Sequence, residues 1–213
     1  MNINPISLHG NWKEGYALDL HTLHSTPIYG PIQSFKLIDG DFVHQNTEEK
    51  IIGYDTKRPE IAEQLYQFKY KSKKEYINPI AIEAANFLQT MPLWKIDIIV
   101  PIPPSNQNRS FQPVYELAKQ IGILNNINID FEVLKKVKST SQLKEIEDIR
   151  QRKEELKNAF DTDWNSLSGL NVLIFDDLYR SGSTLEAASN TLGLKGNAEN
   201  IYVLTITKTR TRR

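Results

Sequence analysis

Cysteine is absent from the 213 residues of this chain, which excludes disulfides and thiolate zinc sites. No apolar run approaches the roughly 18–20 residues that a membrane helix requires. Charge of one sign is not in excess either. Twenty-six Lys and Arg balance 26 Asp and Glu, for a formal net charge of zero. A dedicated nucleic-acid binder usually carries a basic surplus, so the balance argues against that class. The tail Lys208-Thr209-Arg210-Thr211-Arg212-Arg213 is a local exception and leaves nucleic acid open as a partner. The opening residues Met1-Asn2-Ile3-Asn4-Pro5 lack the basic and apolar blocks of a signal peptide. A cytoplasmic protein with no membrane partner is the expectation. Only four histidines occur: His9, His21, His24 and His44. His21 and His24 lie near Asp19, but no clear helix aligns them as metal ligands.

What is present points to one sizeable domain with an elaboration. The most informative stretch is Val172-Leu173-Ile174-Phe175-Asp176-Asp177-Leu178-Tyr179-Arg180-Ser181-Gly182-Ser183-Thr184. Four apolar residues, two of them β-branched, read as a strand buried on both faces, as in a parallel sheet. Two carboxylates follow, then a short polar loop with one glycine, then a helix-forming segment. In open α/β sheets, ligands sit in the crevice beyond the carboxyl ends of the strands. Asp176 and Asp177 suit vicinal sugar hydroxyls or water on Mg²⁺. Ser181, Ser183 and Thr184 with Gly182, ahead of a helix N-terminus, suit a phosphate monoester. A ribose 5-phosphate satisfies both chemistries. The bland alternative is a solvated loop after an ordinary core strand.

Two other nucleotide motifs are missing. Gly10 to Gly15 has the glycine spacing of a phosphate-binding P-loop but continues into Tyr16 and Ala17, not Lys and Ser or Thr. No G-x-G-x-x-G dinucleotide loop occurs.

Along the chain, residues 1–58 read as a small N-terminal antiparallel cap or hood, with short strands at Ser34 to Ile38 and Lys50 to Tyr54 and a turn at Asp39-Gly40-Asp41. Trp12, Tyr16 and Leu18 suit either the core of this cap or a hood over a second substrate. Residues 59–213 read as an α/β core. Pro59 suits the first turn of a helix that uses Ile61, Ala62, Leu65 and Phe68. A second helix uses Ile77, Ala81, Ala84, Ala85 and Leu88. Ile96 to Val100 is a strand ending in a proline loop. A third helix uses Pro113, Val114, Leu117, Ala118 and Ile121, with Gly122 as its stop. Ile127 to Val137 carries a strand, and the highly charged segment Lys138 to Asn158 is a loop or an exposed helix. Ser183 and Glu186 have capping-box spacing for the next helix. Tyr202 to Ile206 is the last core strand. This alternation indicates a twisted parallel sheet flanked by helices.

The signature from Val172 to Thr184 resembles the phosphoribosyl-pyrophosphate (PRPP) motif of the type I phosphoribosyltransferases. More narrowly, "VPIPPSNQNRSFQPVYELAKQIG" and Leu65-Tyr66-Gln67-Phe68-Lys69-Tyr70-Lys71 resemble segments of the ComF-type, amidophosphoribosyltransferase-like branch. The stretch Arg150-x-x-x-Glu154…Asn158-Ala159-Phe160 is loosely similar to that branch as well. Many ComF-type proteins begin with a cysteine-rich zinc element, which this chain lacks. The resemblance implies a type I phosphoribosyltransferase fold and transfer of phosphoribosyl from PRPP, with Mg²⁺, to an acceptor it does not identify. It implies that Asp176 and Asp177 hold the ribose. Arg180, Ser181, Gly182, Ser183 and Thr184 would hold the 5-phosphate. Pro103, Pro104, Ser105, Asn106, Arg109 and Lys69 would meet the pyrophosphate. No protein cage for the metal is implied, since Mg²⁺ would reach the site through ligand and water. The charged segment would close as a lid. The alternative is a non-catalytic sugar-phosphate-binding module in a nucleic-acid or competence-related process. A homo-oligomer is compatible with either.

Overall fold

The computed structural model describes residues 1–38, 41–105, 111–137 and 159–210, with the backbone alone over 32–48. In chain order the elements are β1 (Ile6–Ser7), β2 (Glu14–Leu20), β3 (His24–Ile38), β4 (Asp41–Lys57), α1 (Glu60–Lys71), α2 (Ile77–Gln89), β5 (Ile98–Pro101), α3 (Pro113–Asn125), β6 (Asn128–Ile129), β7 (Lys135–Lys136), β8 (Phe160–Asp161), β9 (Asn171–Tyr179), α4 (Ser183–Leu194) and β10 (Asn200–Lys208).

β9 organises the molecule. Val172, Leu173, Ile174 and Phe175 have no exposed surface. Successive side chains of a strand point to opposite faces. Leu173 and Phe175 therefore enter one apolar cluster and Val172 and Ile174 the other. Burying each such side chain stabilises the fold by roughly 1.5–3 kcal/mol. β9 sits inside a six-stranded sheet of order β1-β2-β10-β9-β5-β6. β2, β10, β9, β5 and β6 run parallel, and only β1 is antiparallel to its neighbour. The expected mostly parallel α/β sheet flanked by helices is therefore present.

The first cluster packs α1, α2 and α3 on one face of the sheet, through Phe68, Ile80, Leu117 and Ile121. The second packs α4 on the other face, through Leu185, Ala188 and Leu192. The apolar positions read from the sequence for α1 are all buried; in α2 and α3 they are buried except Ile77 and Val114, which are half-buried, and α2 also buries Ile80 and Phe87.

Four local expectations change. Gly122 does not stop α3, which runs on to Asn125. The stop is Asn126, in the left-handed region at φ 54°, where Asn is tolerated because its short polar side chain can bond locally. Gly122 serves close packing instead: a Cβ there would meet Ile129 Cδ1 at 2.6 Å and the Ile127 carbonyl oxygen at 2.8 Å. The single strand expected over Ile127 to Val137 is two short pieces, β6 and β7, in different sheets. β5 keeps Pro101 as its last residue, because the next ladder bond is made by the Ile102 N–H to the Phe175 carbonyl at 2.9 Å.

The fourth concerns the N-terminal region. β1 and β2 belong to the central sheet, where Leu18 is fully buried. The antiparallel cap is one long hairpin, β3 with β4, much longer than two short strands. The turn expected at Asp39-Gly40-Asp41 falls partly outside the described residues. The hairpin is closed at its base by the Leu23 N–H donating to the Lys57 carbonyl at 2.9 Å.

Candidate functional site

Parallel strands bring their carboxyl ends to one rim. Register places Asp176 beside Thr205, Phe175 beside Pro101, and Asp19 beside Thr207. β9 continues through both carboxylates to Tyr179, so they lie inside the strand rather than beyond it. Alternation then sends Asp176 to the face of Ile174 and α4, and Asp177 to the face of Phe175 and α1. The pair straddles the sheet edge.

Two lysines act on the pair. Lys69, in the last turn of α1, sets its Nζ 2.5 Å from Asp177 Oδ2. Burial pulls the Lys69 ammonium down, but the charge and hydrogen bond of Asp177 outweigh it, and the net effect is upward. On the other face, the Lys136 Nζ donates to Ser105 Oγ at 3.3 Å. Burial lowers the Lys136 ammonium, and Asp176 opposes the shift. The Asp177 N–H donates to Asp176 Oδ1 at 2.8 Å. Burial, and then the charge of Asp177, push the Asp176 carboxyl up to about 8, against the Asp177 N–H, Lys69 and Lys136. Of the two carboxyls, Asp176 is the one that burial and its neighbour's charge push toward the protonated form.

The turn after β9 is built on Gly182, the residue before α4, at φ 82°. That conformation favours glycine. A Cβ here would also meet Tyr179 Oη at 2.5 Å. The capping box expected from Ser183 and Glu186 does not form: no side chain caps α4. Ser183 instead shares a 3.0 Å hydrogen bond with Ser181. Among the described residues, no side chain accepts from the first N–H groups of α4, an arrangement suited to an anion. Arg180 and Ser181 are exposed, and Thr184 is half-buried.

In the proline loop after β5, Pro103 is buried, Pro104 is half-buried and Ser105 is exposed. Ser105 reaches the Asp176 side through Lys136. Asn106 and Arg109 lie outside the described residues, as do the proposed lid over 138–158 and the last three residues of the basic tail.

Three rim residues were not among those read from the sequence as phosphate or sugar ligands. Lys136 is one. His21, just past β2, shares a 3.1 Å hydrogen bond between its Nδ1 and Thr207 Oγ1. Its imidazole is held below its ordinary pKa by burial, then by Arg58, Lys69 and Arg180, with Asp177 opposing. Arg58 stacks on the Tyr66 ring at 4.2 Å and bonds Glu63 at 3.2 Å. His21 and Arg58 flank the hairpin, and no local pattern in the sequence places them near strands more than 100 residues on. His24 bonds Thr26 within the hairpin. Among the described residues, no group of three or more His, Asp and Glu side chains could hold a metal.

A shallow depression of about 350 Å³ lies at the opposite end of the sheet, lined by Trp12, Lys13, Glu199 and Asn200 among others. It holds no residue of the rim. The rim gathers a carboxylate pair, hydroxyls and cations at the carboxyl ends of the strands, where ligands of open α/β sheets sit. Among the described residues, no helix is long and apolar enough to cross a membrane.

No family model matches the chain. Among curated proteins it is similar to "Competence protein ComFC" of Bacillus subtilis (strain 168), with 29% identity over 150 residues. The match covers 68% of this chain and 58% of that protein, so the chain spans a little over half the length of this relative.

Proposed function

We propose that this chain binds PRPP with Mg²⁺ and transfers its 5-phosphoribosyl group to an acceptor, releasing pyrophosphate. One observation carries the reading. A carboxylate pair lies near the end of a central strand, and a three-residue turn joins that strand to a helix whose N-cap is a glycine.

In this reading, Asp176 and Asp177 hold the ribose hydroxyls, and Lys69 fixes Asp177 for that task. The backbone of Ser181 to Thr184, with their hydroxyls and Arg180, holds the 5-phosphate. The Pro103 to Asn106 loop, Arg109 and Lys69 face the pyrophosphate. The bond from the ribose anomeric carbon to pyrophosphate breaks, a bond to the acceptor nucleophile forms, and the acceptor loses a proton. The reacting carbon becomes oxocarbenium-like, so the residues act by positioning and by stabilising charge. Asp176 and Asp177 offer hard oxygen donors without a protein cage, which fits Mg²⁺ held through ligand oxygens and water. When bound, the ion neutralises charge on the leaving pyrophosphate.

Calorimetry with PRPP and Mg²⁺ tests the binding step. Asp176→Asn combined with Asp177→Asn is expected to weaken binding more than about tenfold, or ~1.4 kcal/mol, with the fold intact by circular dichroism. Unchanged affinity rejects the assignment. A pyrophosphate-release screen over nucleobases and ammonia tests the transfer.

The name of the relative favours a second reading, a non-catalytic sugar-phosphate-binding module in a competence-related process. PRPP binding without pyrophosphate release, together with salt-dependent binding of single-stranded DNA, would support it.

A further inference from the structure

Phosphoribosyl transfer to a protic nucleophile needs a group that takes the acceptor's proton. The sheet order tells on which side of β9 that group belongs. β5 lies on one side of β9, and β10 with β2 on the other. With pyrophosphate leaving over the loop after β5, an aligned displacement brings the nucleophile in from the side of β10 and β2. The end of β2 is two strand spacings from β9, or about 10 Å. A nucleophile over β10 therefore lies between the ribose and the end of β2.

Most charged groups on that side are already committed. Arg58, Lys69 and Arg180 are cations that only donate. Asp177 is held by Lys69. Asp19 is buried, and its Oδ1 accepts the Leu20 N–H at 2.7 Å. His21, half-buried just past β2, is different.

The proton on its ring can be placed. The Thr207 hydroxyl donates to the Asp177 carbonyl at 3.3 Å and lies 3.1 Å from His21 Nδ1. A hydroxyl has a single proton to give. Both bonds form together only when His21 Nδ1–H donates to Thr207 Oγ1. A neutral imidazole has a single N–H, so the lone pair on Nε2 is bare. Among the described residues, Nε2 has no hydrogen-bond partner. The His21 backbone N–H donates to the Lys208 carbonyl at 2.7 Å, so β10 holds both backbone and ring.

The surroundings keep that lone pair free. Arg58 between β4 and α1, Lys69 on α1 and Arg180 after β9 join burial in favouring the neutral ring, and Asp177 opposes them. The Lys208 ammonium sits over the Tyr179 ring.

Resting on the transfer reading, we propose that His21 Nε2 is the general base of the reaction, and that the acceptor is a neutral nucleophile with a proton on its reacting atom, such as a ring N–H of a nucleobase. The proton moves to Nε2. The electron pair it leaves forms the bond to the anomeric carbon, and the bond from that carbon to pyrophosphate breaks, its pair departing on pyrophosphate. The imidazolium then gives its proton to water. Thr207 fixes the tautomer and is a positioning residue.

Nitrogen-15 NMR of the full chain tests the ring directly. At about pH 7.5, above the ordinary histidine pKa, His21 is expected to be neutral with its proton on Nδ1. Its signal is the one lost in His21→Asn. The Asn amide can still donate to Thr207, so this variant keeps the bond and loses the base. Its PRPP affinity should stay within about twofold, while kcat for pyrophosphate release falls by about 100-fold or more. The acid limb of the pH–rate profile should vanish with it. A proton on Nε2, or a charged ring at that pH, would overturn the assignment. So would His21→Asn that releases pyrophosphate as fast as wild type, or that loses PRPP affinity with kcat intact. A wild type that binds no PRPP, or that releases no pyrophosphate with any acceptor, overturns the transfer reading itself and the role of His21 with it.

Discussion

Lys69 Nζ lies 2.5 Å from Asp177 Oδ2, joining the last turn of α1 to the rim end of β9. Asp177 is almost fully buried and Lys69 only partly so. Removing the lysine strands a buried carboxylate, whereas neutralising the aspartate leaves an ammonium that can turn to solvent. Lys69→Met is therefore expected to lower stability by about 1–3 kcal/mol, and Asp177→Asn by less. Urea titration of both variants checks the order. A larger loss for Asp177→Asn would contradict it.

Asp176 gives a pH dependence of defined sign. Its carboxyl is raised to about 8 in the folded protein, so the folded state holds this proton more tightly than the unfolded one. Its stability contribution is complete below the ordinary carboxylate range and is lost as pH rises toward 8. Asp176→Asn has no such proton to lose. The variant should gain stability relative to wild type between pH 5 and about 8, as read from urea midpoints at each pH. A constant difference across that range counts against the assignment.

Gly182 combines a left-handed conformation with the Tyr179 ring at its back. Gly182→Ala is expected to cost about 1–2 kcal/mol through backbone strain alone. It should also disturb the turn proposed to hold the 5-phosphate. Thermal unfolding reads the first effect, and calorimetry with ribose 5-phosphate reads the second. An alanine variant equal to wild type in both would show that the turn does not need glycine.

Gly122→Ala sets two effects against each other. Alanine in a helix interior gains about 1 kcal/mol over glycine. Here its Cβ would press on Ile129 and on the Ile127 carbonyl oxygen, and overpacking costs typically about 1–3 kcal/mol. Backbone is the harder neighbour to move, so a net loss is expected in chemical denaturation. A stabilised variant would show that β6 shifts easily.

The residues that could be read from the sequence were those with strong local patterns. Val172 to Phe175 is apolar at every position because both faces are covered, and that density identifies a central strand. The stripes of α1, α2 and α3 are likewise local. Membership of β2 in the central sheet was not legible, since Glu14–Leu20 mixes polar and apolar residues and its partner β10 is nearly 190 residues away. The β3–β4 hairpin exceeds the two short strands expected because an exposed ribbon needs no apolar alternation: Glu48, Glu49 and Lys50 break the pattern without ending β4. At the site, Asp176, Asp177 and the following turn were found together because they share one strand and its loop. His21, Arg58 and Lys136 reach the rim only through tertiary folding. The capping-box spacing at Ser183 misled because a left-handed glycine already starts α4 and the two serines bond each other.

Leu23 and Lys57 meet at a single backbone hydrogen bond, so the chain leaves the body and returns to it at nearly the same point. Everything between them is a detour. Its length, tip and outer chemistry are free to drift, or to be swapped for another appendage, while the strand order of the central sheet and the spacing of the rim stay as they are.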